Sequence, residues 1–191
     1  MKKIDVTKIV SDPTARLAFL SDFVGFTDED WQAVRDSAAA LGPLLPGFLD
    51  ALYEHLLSYD DTRTSFVTDA GAIDDDYMAM RKEHLTQWVL RMVGGIDNGP
   101  EELATYWVNI ARKHTSGDGE ANRSIAPRYM VALTSFIQTG LLSALFELLP
   151  DDPGEVRRIG LAWNKLLMIQ LEMFLSVMAP QWPHWDEAPA T

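Results

Sequence analysis

Apolar residues recur at intervals of three and four along almost the whole chain, and no alternating run of β-branched residues is long enough to make a strand. This period predicts an all-α protein. A short amphipathic piece around residues 14–24 comes first. "FTDEDW" then offers Thr27 as a helix cap, with Asp30 three residues on as a carboxylate variant of the capping box. Gly42 and Pro43 interrupt, and the next helix is predicted over Pro46 to Ser58, with Phe48, Leu49, Leu52, Tyr53 and Leu56 on one side. "SYDDTRTSFVTDAGAIDD" reads as a loop rich in Asp, Thr and Gly.

From about Asp74 a long helix carries Tyr77, Met78, Arg81, Leu85, Trp88, Val89 and Met92 on its stripe, and Gly94-Gly95 end it. Pro100 takes the first position of an element that runs to His114, and "TSGDGEANRS" is a loop. Two apolar helices follow, over about 127–149 and 153–178, the second opened by Asp152 as cap and Pro153 at its first position. The proline-rich end from about 179 reads as an irregular tail. With no internal repeat and no dividing linker, residues 1–191 are expected to form one domain.

Composition narrows what such a bundle does. The 191 residues are 47% hydrophobic and 23% charged, the balance of a folded protein rather than a disordered one. A net charge of −12 repels phosphate backbones and anionic lipid, so neither nucleic acid nor a membrane is an expected partner. Without cysteine there is no disulfide framework, thiolate metal site or cysteine nucleophile, which suits a cytoplasmic location. The N-terminus breaks its apolar run with Asp5, Lys8, Asp12 and Pro13, unlike a signal peptide. Lys165, Gln170 and Glu172 mark the last apolar helix as amphipathic and buried rather than membrane-spanning.

None of the four histidines, 55, 84, 114 and 184, has another three or four residues away, so no helical zinc pair is encoded. Leu52, Arg81, Ala111 and Gln181 stand three residues before them, which excludes the Glu-x-x-His element of di-iron bundles. Phosphate loops, dinucleotide fingerprints and serine elbows are also missing. His114 stands out because it extends the stripe Leu103, Tyr106/Trp107, Ile110. A lone histidine on an apolar face is more often a hydrogen-bonded core residue than a ligand. The ligand alternative is a haem, which supplies four iron ligands itself and asks the protein for one axial imidazole in an apolar slot. Periodicity leaves both readings open.

The segments "DALYEHLLSYDDTRTSF", "RKEHLTQWVL", "ARKHTS", "APRYMVALTSF" and "AWNKLLMIQLEMF" resemble, in the same order and at similar spacing, successive pieces of protoglobins and of the sensor domains of globin-coupled sensors. The resemblance covers about residues 20–180. It implies a globin fold with an extra N-terminal helix, an α-on-α sandwich of about seven helices, with about 1–26 as the N-terminal extension. It further implies that b-type haem is bound through His114, with a diatomic gas such as O2, CO or NO taken on the other face. Tyr53 matches the family's distal tyrosine, and Phe66 the phenylalanine that packs against the haem. Leu85, Leu133 and Ile137 match haem-facing positions. The family often dimerises through its last two long helices, so a homodimer is an expected partner arrangement.

The departures are specific. Archaeal protoglobins carry a tryptophan before the distal tyrosine, where this chain has Leu52. A second basic or histidine residue beside the proximal one is Lys113 here, and the loop from His114 to Arg128 is shorter. Leu52 and Leu85 are smaller than the aromatics they replace, so the distal side is expected to be more open. A neutral His114 needs an acceptor for its second ring nitrogen, and a backbone carbonyl one turn earlier is the expected one. His84 is expected at the solvent or at a propionate, His55 outward, and His184 in the tail. Arg81 is a candidate distal or propionate contact, although a solvated cation paired with Asp or Glu is the commoner fate. No residue pattern points to an enzymatic reaction. From another class, the alternative is a haem-free globin-fold module for dimerisation or signalling.

Overall fold

The structure, a computed structural model, describes residues 4–94, 99–116 and 125–179. Ten α-helices lie among these residues: α1 (Val6–Ser11), α2 (Pro13–Val24), α3 (Asp28–Asp36), α4 (Ala38–Leu41), α5 (Leu45–Leu57), α6 (Asp60–Arg63), α7 (Asp75–Gly94), α8 (Pro100–Ser116), α9 (Pro127–Leu148) and α10 (Pro153–Met178). Seven have nine residues or more, in line with the number that the hydrophobic period predicts. The only extended pairing among the described residues is an isolated bridge between Val67 and Ile73.

Local chemistry sets the boundaries. Prolines open α2, α8, α9 and α10 at a position where the missing N–H costs no helical hydrogen bond. The Asp12 carboxylate accepts from the amides of Thr14 and Ala15, Asp152 accepts from Glu155, and Asp30 accepts from the Thr27 amide at 2.9 Å. Helix α2 ends at Gly25, whose φ of 64° is a left-handed conformation open to glycine at little cost. Three details depart from the sequence reading. Helix α1 precedes the expected first piece and buries no side chain. The "SYDDTRTSF" part of the supposed loop contains α6 and a 3-10 turn over Thr64–Phe66. Helix α8 continues two residues past His114; the rest of the expected loop, 117–124, and the tail from 180, which includes His184, lie outside the described residues.

Helix α10 organises the packing. It contacts α2, α3, α8 and α9, and buries Ile159, Trp163, Leu166, Leu167, Met173 and Phe174. Ion pairs tie its outer edge to the N-terminal helices: Arg16 with Glu172, Arg158 with Asp36, and Lys165 with Asp30. Between α3 and α4 the fully buried Ser37 donates to the Val34 carbonyl at 2.7 Å and accepts from Trp163 Nε1 at 2.9 Å. Helices α5 and α7 pack on one another, joined by Lys82 and Asp50 at 2.6 Å. A cavity of about 380 Å³ lies between this pair and the α8, α9, α10 layer.

Helices α9 and α10 are long and apolar enough in composition to cross a membrane. In the fold α10 is largely buried. Helix α9 turns Thr134 and Leu145 into the structure and leaves Val131, Leu142, Phe146 and Leu148 exposed.

Candidate functional site

The apolar stripe of α8 divides in two. Leu103, Ala104, Trp107, Val108 and Ala111 enter the core, whereas Tyr106, Ile110 and His114, spaced four apart, line the cavity. His114 is therefore at the end of the cavity-facing row. Its Nδ1 lies 2.7 Å from the Ile110 carbonyl, one turn earlier. That oxygen can only accept, so Nδ1 carries the proton and the Nε2 lone pair is presented to the cavity. Burial holds the imidazole's pKa below its ordinary value of 6.5; the Ile110 carbonyl opposes this shift and the Arg81 charge adds to it. The ring is neutral, the form that binds a metal. Phe174 supports it from α10, with ring centroids 6.1 Å apart.

Across the cavity α5 supplies Tyr53, only 5% exposed, and its neighbour Leu52. The turn after α6 brings Phe66 against the tyrosine edge-on, with centroids 5.6 Å apart at 89°. Burial raises the Tyr53 pKa above 10.0; the charge and hydrogen bond of Arg81 act against that rise. The guanidinium can only donate, so towards Arg81 the phenol oxygen can serve only as an acceptor. Leu85 and Trp88 on α7, and Leu133 and Ile137 on α9, complete the apolar wall around Tyr53, Phe66 and His114. All six residues singled out from the sequence, His114, Tyr53, Phe66, Leu85, Leu133 and Ile137, thus line one cavity.

Arg81 departs from its commoner expected fate. It is half-buried, and its Nη2 lies 3.2 Å from His114 Nε2, the nitrogen that the Ile110 bond leaves unprotonated. Among the described residues no carboxylate pairs with it. His84 is exposed at the cavity mouth. His55 is exposed too, and stacks on Phe136 with centroids 4.8 Å apart, away from the cavity lining.

Sequence reasoning took Gln170 only as a polar mark on the last helix, not as a site residue. It is 4% exposed, lines the cavity, and among the described residues its carboxamide has no hydrogen-bond partner. Its signal was a single amide on the apolar stripe of α10, three residues after Leu167 and four before Phe174. Arg91 and Tyr106 were also missed. They meet at the cavity edge, with the guanidinium 4.4 Å from the ring centroid, and neither residue type marks a pocket from sequence alone.

An imidazole fixed through its far nitrogen, facing a buried phenol across an apolar cavity inside a helical bundle, is the arrangement of a globin. Comparison with known proteins agrees. The protoglobin family profile matches residues 14–181, and the chain belongs to that family. Its structure is similar to the globin domain of the Geobacter sulfurreducens globin-coupled sensor, with a TM-score of 0.69 over 84% of this chain and 95% of that one. At 19% identity this likeness speaks for the globin fold alone. No curated protein matches the sequence.

Proposed function

We propose that this protein is a haem-binding globin that coordinates b-type haem through His114 and takes a diatomic gas beside Tyr53. The observation that carries the reading is the His114 ring, held by Ile110 so that a neutral Nε2 faces an apolar cavity with a phenol on its far side. The residues present fit the group. The cavity is within the few hundred cubic ångströms that enclose cofactor-sized ligands, and its walls are mostly leucine, isoleucine and aromatic side chains. With no cysteine in the chain, thioether attachment is impossible and the macrocycle must be held by packing and the axial bond, which favours the b type.

When bound, haem supplies an iron with a vacant position that accepts O2, CO or NO. The chain's own contributions follow from its geometry. Ile110 fixes the tautomer and rotation of His114. Tyr53 offers an O–H to the outer atom of a ligand and slows its departure. Phe66, Leu85, Leu133 and Ile137 exclude water. Leu52 and Leu85 leave more room on the tyrosine side than aromatic residues would.

A homodimer fits the same reading. Val131, Leu142 and Phe146 recur on one side of α9, and Leu161 and Met168 are exposed on α10. Leu142 approaches α10 at Gly160, next to the exposed Leu161. The absence of cysteine and the acidic surface fit a cytoplasmic protein. Titration of the purified protein with haemin tests the proposal: saturation at one haem per chain with a sharp Soret band is expected, and a protein that takes up no haem would refute it.

A further inference from the structure

The cavity is a cationic spot in an acidic molecule. Although the chain carries a net charge of −12, the cavity lining contains Arg81, Arg91 and Lys113 and no aspartate or glutamate. The three cations differ in placement. Arg91 is exposed, faces Glu102 at 3.5 Å and stacks on Tyr106, and Lys113 is exposed, so both charges belong to the rim. Arg81 is half-buried. Its guanidinium reaches His114 Nε2, its charge acts on the Tyr53 phenol across the cavity, and among the described residues no carboxylate neutralises it.

We propose that Arg81 makes this pocket a binding site for small inorganic anions, seated between its guanidinium and the Tyr53 hydroxyl. The inference rests on the haem-binding reading. The Nε2 lone pair cannot serve both an N–H of Arg81 and a metal, so metal binding at His114 would free that N–H for another acceptor. Arginine stays charged at every physiological pH, and its fork of donors suits an anion better than a neutral diatomic. The lining provides no carboxylate to occupy that fork, whereas of the rim cations Arg91 already faces Glu102 and Lys113 is exposed to solvent. Tyr53 adds a second donor on the same side. The pocket thus discriminates by ligand charge as well as by size.

The test compares sodium azide binding to the ferric haem-loaded protein with carbon monoxide binding to the ferrous one, at constant ionic strength, for the wild type, Arg81→Leu and Arg81→Lys. In Arg81→Leu azide affinity is expected to fall by about tenfold or more, the effect of losing one charge-assisted hydrogen bond, while carbon monoxide affinity changes little. Arg81→Lys keeps the charge and is expected to retain much of the azide affinity. Equal shifts for azide and carbon monoxide would reduce Arg81 to a space-filling residue and overturn the proposal. Unchanged azide affinity with faster haem loss would do the same, assigning Arg81 to a macrocycle carboxylate. Circular dichroism establishes that the variants are folded. A wild type that takes up no haem would instead remove the underlying reading, an outcome visible before any variant is made.

Discussion

Tyr53 meets Phe66 edge-on at 5.6 Å, and this contact holds the phenol ring beside the Arg81 charge. The ring is thus fixed by packing, and the hydroxyl is its one polar group. Tyr53→Phe keeps the ring and removes only the donor. Stopped-flow measurement on the haem-loaded variant is expected to show O2 leaving roughly tenfold faster, the effect of one lost hydrogen bond of about 1.4 kcal/mol, with little change in melting temperature. An unchanged off-rate would remove Tyr53 from ligand control.

The Ser37 hydroxyl links two buried groups, the Val34 carbonyl and the Trp163 indole. Ser37→Ala leaves the indole N–H without its partner, and urea denaturation is expected to show a loss of about 1–3 kcal/mol. Changing Trp163 to Phe in the same background removes the orphaned donor, so the double variant is expected to lose less than the two single changes added together.

Gly140 of α9 leaves room for the Phe48 ring of α5. A Cβ built there falls 2.5 Å from Cε2 of Phe48, so Gly140→Ala forces the phenylalanine ring or the helix to move. The expected cost is about 1–3 kcal/mol by denaturant titration, with Phe48→Leu restoring part of it. If Gly140→Ala were stabilising, as the substitution is in an open helix, the close approach would be refuted.

Phe146 is 58% exposed and Leu142 lies one turn before it on the same face of α9. A dimer through α9 and α10 buries both. Leu142→Glu combined with Phe146→Glu is expected to convert a dimeric wild type to monomer in light scattering while leaving the Soret band intact. A wild type that is monomeric at high concentration would contradict the arrangement.

Much of the fold was legible because its signals are local: prolines at the first turns of α8, α9 and α10, the Asp152 cap, and stripes at intervals of three and four. Helix α1 was not, since it buries nothing and so leaves no stripe. Helix α6 was hidden by its length of four residues and its aspartates and threonine, which read as a turn. At the site, His114 was visible as an interruption of an apolar row, but which half of that row faces the cavity depended on where α10 packs. The position of Arg81 was legible, since it continues the Tyr77, Arg81, Leu85 row; its destination was not. A sequence pattern cannot show that α8 supplies a neutral imidazole and α5 a phenol to its surroundings, and neither a carboxylate.

The central claim is that His114 Nε2 is the protein's bond to the cofactor, and the absorption spectrum of haem-loaded His114→Gly, recorded before and after addition of free imidazole, tests it most directly. The account predicts that the substitution abolishes or displaces the wild-type Soret band and that imidazole, entering the space left by the missing ring, restores it. A variant whose spectrum matches the wild type without imidazole would show that the iron is held elsewhere.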